Sequence, residues 1–164
     1  MILESEIKMF FCRFSDPHYI KLEKLEILLK LANESNIDQI LHELKEYVDE
    51  VDVAFVRKCV RTFGRLAIKL ENMADKCVHA LFECWQKKAA YMIQESVIVM
   101  RDIFRKYPKR YEGILTQIFK NIEIITESEA KSAMIWIIGE YCKIIENAGV
   151  LLMKYLESFH DESE

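Results

Sequence analysis

Four histidines, five cysteines and a scatter of clustered cations are the side chains of this sequence that could do chemistry. His18, His42, His79 and His160 never fall within four residues of one another, so no two imidazoles share adjacent helical turns to grip a metal. Cys12, Cys59, Cys77, Cys84 and Cys142 are odd in number and lack CxxC spacing, and the approach of Cys77 to His79 is an isolated pair. Most of these cysteines fall on apolar faces and read as reduced, buried small hydrophobes of a cytosolic protein. Gly64, Gly113, Gly139 and Gly149 stand alone, so no glycine-rich loop is available to cradle a phosphate. Gly64 and Gly139 fall inside helical patterns and predict close helix approach there. Glu140 beside Tyr141 reads as a solvated edge, and Trp85 and Trp136 read as core. No catalytic set, cofactor cradle or metal-ligand cluster emerges, and the expectation is a protein that is not an enzyme and has no cofactor.

What remains is charge. Arg57, Arg61, Arg65 and Lys69 recur every four residues and form a basic stripe. A second group, Lys106, Lys109 and Arg110, surrounds Pro108 and could contact an outside anion. The net charge of −4 nevertheless removes the main electrostatic reason to expect nucleic acid as a partner.

The elements that position these residues are helices. In FVRKCVRTFGRLAIKL, residues 55–70, Phe55, Val56, Cys59, Val60, Phe63, Leu66, Ala67 and Leu70 make one broad apolar face at the helical period. The chain carries imperfect copies of this helix. Residues 23–32 align with 58–67, and 95–104 and 132–141 follow, so that Leu25, Val60, Val97 and Met134 share one position. Repetition at this spacing marks a helical-repeat array. Composition agrees: 51% hydrophobic residues over 164 can bury an ordinary core, and four glycines with two prolines favour helices over hairpins.

Taken in order, residues 3–14 read as one helix of a repeat cut at the start of the chain. Asp16-Pro17 predicts a helix start with the proline at the first helical position, running to about Ala32. Asn36 predicts a shorter helix with Ile37, Ile40, Leu41, Leu44 and Val48 inward. Asp52 opens the central helix, and Asn72 with Asp75 read as a capping pair for the next, which carries Cys77, Val78, Leu81, Phe82 and Trp85. A third long helix spans about 89–107 up to Pro108, and its companion 111–123. Thr126 and Glu129 predict a capping box for a helix over about 130–145, whose AMIWII requires cover on all sides. A last helix runs from Asn147 to near Phe159. The expected fold is all-α, a right-handed α-solenoid of HEAT/armadillo-like two-helix repeats, with residues 1–164 as a single domain of about four helix pairs. Across stacked first helices, Glu23, Lys58 and Glu95 share one position, Glu26 and Arg61 another, Lys30, Arg65 and Asp102 a third. Alternating signs there predict an inter-repeat ladder of ion pairs. No apolar run approaches the ~18 residues of a membrane span.

DPHYIKLEKLEILLKLA, EYVDEVDVAFVRKCVRTFGRLAIKLE, RDIFRKYPKRYE, SAMIWIIGEYC and FHDESE together resemble the second half of the trunk of a beta-adaptin, over residues 7–162. The resemblance implies a non-enzymatic scaffold in a heterotetrameric clathrin adaptor complex acting in vesicle coat assembly, cargo sorting and intracellular protein transport. On fold alone the alternative is a generic helical-repeat scaffold, such as a transport carrier or phosphatase scaffold. The implied partners are the amino-terminal domain of the medium subunit, with the other large and small subunits. Clathrin would be met through regions absent here. The implied location is cytoplasmic, peripheral on the cytosolic face of Golgi, endosome or plasma-membrane coated pits and vesicles. Second helices of such repeats line a concave side, so their polar faces are the expected medium-subunit contacts: Gln39, His42, Glu43 and Glu46, then His79, Glu83 and Gln86, then Thr116, Gln117 and Lys120.

Overall fold

The structure, a computed structural model, describes residues 6–85 and 89–157. Eight α-helices account for most of them, with no strand among the described residues. They are α1 (His18–Leu31), α2 (Ile37–Tyr47), α3 (Val53–Lys69), α4 (Ala74–Trp85), α5 (Ala90–Lys106), α6 (Leu115–Phe119), α7 (Ser128–Glu140) and α8 (Ala148–Glu157). The chain groups into two compact units, Met1–Met92 and Ile93–Glu164.

In the first unit α1 packs beside α3 and α2 beside α4, while α3 also packs on both α2 and α4. This is the two-layer arrangement of paired helices that the repeat alignment predicts. Helix α3 is its centre. Phe55, Val56, Cys59, Val60, Phe63, Leu66 and Ala67 are all fully buried, against Leu25 and Leu28 of α1, Ile40 and Leu44 of α2 and Leu81 of α4 in the same core. Burial of large side chains at roughly 1.5–3 kcal/mol each makes this face the main source of stability in the unit. Asp52 opens α3 as expected, its Oδ1 accepting the Phe55 N–H at 3.1 Å. Its Oδ2 lies 2.5 Å from His18 Nδ1.

The layers are also tied by charge. Glu26 on α1 pairs with Lys58 at 2.9 Å and with Arg65 at 2.5 Å, one turn further along α3 than the Arg61 aligned with it in sequence. Lys69 reaches the carboxyl end of α1, where its ammonium donates to the carbonyls of Leu29, Lys30 and Ala32 at 2.8, 2.8 and 3.0 Å. Those carbonyls have no partner within their own helix, so a cation there supplies hydrogen bonds and meets the negative end of the dipole.

Several local expectations change. Helix α1 starts at His18 with Pro17 as N-cap, because Asp16 turns back to accept the Arg13 N–H at 2.8 Å and pairs with Lys24. Residues 3–5 of the expected first helix, 3–14, lie outside the described residues, and within the rest the one helical turn is 3-10, Ile7–Phe10. That segment is held by Cys12, whose N–H donates to the Tyr47 hydroxyl at 2.7 Å, and by Lys24, which donates to the Phe11 carbonyl. The Asn72 side-chain amide donates to Glu34, and α4 begins at Ala74.

In the second unit α7 packs on α8. The C-terminal ends of α5 and α7 meet where the Phe104 and Tyr141 rings contact edge-on at 5.1 Å. Their N-terminal ends are joined by buried Gln94, whose Oε1 accepts from Thr126 N at 2.9 Å and Glu127 N at 2.6 Å. This cross-helix bond takes the place of the expected Thr126–Glu129 box, and Glu127 is the N-cap. The expected 111–123 helix is broken into the 3-10 turns Glu112–Ile114 and Ile122–Ile124 around the five residues of α6. The Asn121 N–H turns to the Ile118 carbonyl, three residues back, and its side chain bonds the Gln117 carbonyl, which stops α6 there. Helix α7 is not covered all round: Ile135 is exposed and Trp136 is only half-buried, with the Arg105 guanidinium 4.7 Å over its ring. Trp85 is buried as expected and stacks on Phe82. Gly139 is exposed, and a β-carbon there would meet nothing within 4 Å, so the expected close helix approach does not occur at that position.

Candidate functional site

The apolar stripe of α2 (Ile37, Ile40, Leu41, Leu44, Tyr47) faces the core and leaves Asp38, Gln39, His42 and Glu46 exposed on the opposite side. On α4 the inward set Cys77, Val78, Leu81, Cys84 and Trp85 leaves Asp75, Lys76, His79 and Glu83 outward in the same way. Because α2 and α4 lie side by side, these polar faces form one surface.

Between them runs an open groove of about 430 Å³, lined by Asp38, Leu41, His42 and Lys45 from α2 and by Asp75, Lys76, His79 and Ala80 from α4. Ion pairs cross it near both ends. The Lys76 ammonium spans both Asp38 oxygens at 2.8 and 2.9 Å. Lys45 pairs with Glu83, which also lies 3.1 Å from His79 Nδ1. The hydrogen bond from Lys45 holds the Glu83 carboxyl below its ordinary range, with desolvation opposing and His79 adding a smaller pull. Exposed pairs of this kind contribute little energy, about 0–1 kcal/mol, but they fix the spacing of the two helices.

Of the residues expected to meet a partner, His42 and His79 come together across this groove, with Glu83 beside them. Gln39 and Glu46 are exposed on the same face. Glu43 is half-buried and accepts the hydroxyl of Tyr47, which commits it to the fold. Gln86 lies outside the described residues. Thr116 and Gln117 are exposed on α6 and Lys120 at its C-cap, in the second unit. Lys106, Lys109 and Arg110 are exposed around Pro108, in the second unit as well.

Asp38, Lys45, Asp75 and Lys76 were not among the residues that the sequence marked as partner contacts. A signal for two of the contacts existed: Asp38 and Lys45 meet Lys76 and Glu83 at the same offset of 38 residues, with opposite charges at each end. That offset is one step of the repeat.

Burial disfavours the thiolate at Cys59 and Cys77. Burial pushes Cys77 up to about 12, and raises Cys59 further. Cys12 is raised to about 11, again chiefly by burial. Among the described residues no three His, Cys, Asp or Glu side chains gather closely enough to hold a metal. No helix of the described residues is long and apolar enough to cross a membrane.

Such a fold defines an all-α helical-repeat protein. The family follows from the sequence as a whole: the chain matches the adaptin N-terminal region over residues 1–164 and belongs to that family. It is 52% identical over 162 residues to the AP-1 complex subunit beta of Dictyostelium discoideum and to the AP-1 complex subunit beta-1 of Homo sapiens. These matches cover 99% of this chain and 17% of either relative. The AP-2 complex subunit beta of Schizosaccharomyces pombe is 48% identical over 158 residues, covering 96% of this chain and 23% of that protein.

Proposed function

We propose that this chain serves as part of the beta subunit of a heterotetrameric clathrin adaptor complex, a non-enzymatic scaffold on which vesicle coats assemble and cargo is sorted. Its α2–α4 face receives the amino-terminal domain of the medium subunit, and the other large and small subunits complete the complex. The complex works in the cytoplasm, held peripherally on the cytosolic face of Golgi, endosomal or plasma membranes. One observation supports the reading of the site above the others. Two imidazoles from successive repeats open onto one groove whose walls are braced by Lys76–Asp38 and Lys45–Glu83, so the surface is assembled before any partner arrives. Pre-organisation of this sort lowers the entropy lost on binding. Thr116, Gln117 and Lys120, in the second unit, are proposed as further medium-subunit contacts.

The experiment is capture of an epitope-tagged medium-chain adaptin from cytosol by the purified chain. Retention that falls when His42 and His79 are both replaced by glutamate supports this role. Capture of no medium chain, by a chain whose helical circular dichroism and melting are intact, rejects it.

A further inference from the structure

The link from α2 to α3 reads Asp49-Glu50-Val51-Asp52 and is followed by Val53, an acidic tetrapeptide closed by aspartate. Its placement suits a protease. The Asp49 and Glu50 N–H groups bond back to the Glu46 and Tyr47 carbonyls at 3.1 Å and close α2. The Asp52 carbonyl accepts the Val56 N–H at 2.9 Å and opens α3. Between these bonds Asp49 is exposed, the Val51 side chain is 96% exposed, and Asp52 already holds extended backbone, φ −73° and ψ 97°. Exposed links between packed elements are the preferred sites of proteolytic nicking.

Two of these side chains are also committed to the fold. Asp52 accepts the Phe55 N–H and lies against His18, and Glu50 pairs with the buried Lys21. Hydrolysis of the native chain therefore requires the first turn of α3 to open, so that Asp52 leaves its cap. Val53 and Ala54 in that turn are exposed, and only at Phe55 does the fully buried face begin. Local opening of a helix end costs far less than global unfolding. The other described aspartates lack this setting. Asp16 precedes Pro17; Asp38, Asp75 and Asp102 lie within helices; Asp49 directly follows the end of α2, with Tyr47 and Val48 buried.

We propose that the Asp52–Val53 peptide bond is the cleavage site of an aspartate-directed cysteine protease of the caspase class. A guanidinium-lined pocket that forks a carboxylate takes Asp52, and a second polar pocket takes Asp49. The protease thiolate attacks the Asp52 carbonyl carbon, and the bond to Val53 breaks as the protease imidazolium gives its proton to the Val53 nitrogen. Water then hydrolyses the thioester, leaving a carboxylate on Asp52, an ammonium on Val53 and the protease thiol restored. The new ammonium stands at the amino end of α3, where the helix dipole is also positive, so the cut favours opening of that end. It also unlinks α2 from α4, the two walls of the groove.

The test is incubation of the folded chain, well below its melting temperature, with a recombinant executioner caspase, read by intact mass. Two fragments, residues 1–52 and 53–164, are expected. Asp52→Asn keeps a good helix cap and should slow cleavage at least about a thousandfold, because a pocket built around a carboxylate rejects a substrate that leaves its donors unpaired. Asp49→Ala should slow it at least about tenfold, through loss of a charged hydrogen bond. Melting curves matching the parent show that both variants fold. The proposal is overturned if the folded chain stays intact while a free peptide of residues 47–56 is cut to completion. Cleavage that persists in Asp52→Asn, or that falls at another bond, overturns it equally.

Discussion

Glu26 shows how much one side chain can do in this fold. Arg65 first and Lys58 second pull its carboxyl from the ordinary 4.5 down to about 2. A carboxylate depressed in the folded state stabilises above its unfolded value and loses that contribution as pH falls through the folded one. The window here runs from about pH 4.5 down to about pH 2. Glu26→Gln should thus cost about 1 kcal/mol at pH 7, discounted for a side chain 30% exposed, and nothing near pH 2. Denaturant melts of parent and variant across that range test this, and a difference independent of pH would count against it. Lys109 makes the opposite case. Glycine at its φ of 68° relieves the clash of the β-carbon, so Lys109→Gly should raise stability by about 0.5–1 kcal/mol. An unchanged or lower melting point would mean that the turn does not hold Lys109 against strain. Neither effect was legible as such: the alternation of sign at Glu26 and Arg61 was, but the diagonal that brings Arg65 onto Glu26 depends on how α1 and α3 cross.

Among the helices, α3 was almost wholly readable. Its apolar face, its Asp52 cap and its central place follow from spacing alone, because a helix buried along one stripe must carry that stripe in its sequence. Helix α7 was not. AMIWII is apolar on nearly every side, so periodicity could not say which side stays open, and the side chain shielding Trp136 comes from Arg105 on another helix. The two aromatic residues accordingly separate. Phe63→Ala should cost ~3–5 kcal/mol, while Trp136→Ala, at a half-buried ring, should cost about 1–2 kcal/mol. Equal losses in chemical denaturation would show that Trp136 belongs to the core after all. The 111–123 segment was lost for a different reason. Its i, i+3, i+4 apolar spacing is real, but spacing does not reveal the Asn121 bonds that end α6 after five residues.

For the whole molecule, the central claim is that the α2–α4 face meets a medium subunit. The family was legible in the sequence blocks, as was the all-α repeat architecture; the groove was not, since it depends on Lys45 and Lys76 spanning two helices. The most direct test is the affinity of the purified chain for a medium-chain adaptin amino-terminal domain. Parent, His42→Glu with His79→Glu, and Lys106→Glu with Lys109→Glu would be compared by calorimetry at matched folding. Two new carboxylates in a groove already holding Asp38 and Asp75 are expected to weaken binding by at least ~tenfold. The turn variant should bind as the parent does. Full affinity in the histidine variant, or its loss only in the turn variant, would contradict the placement of the partner on this face.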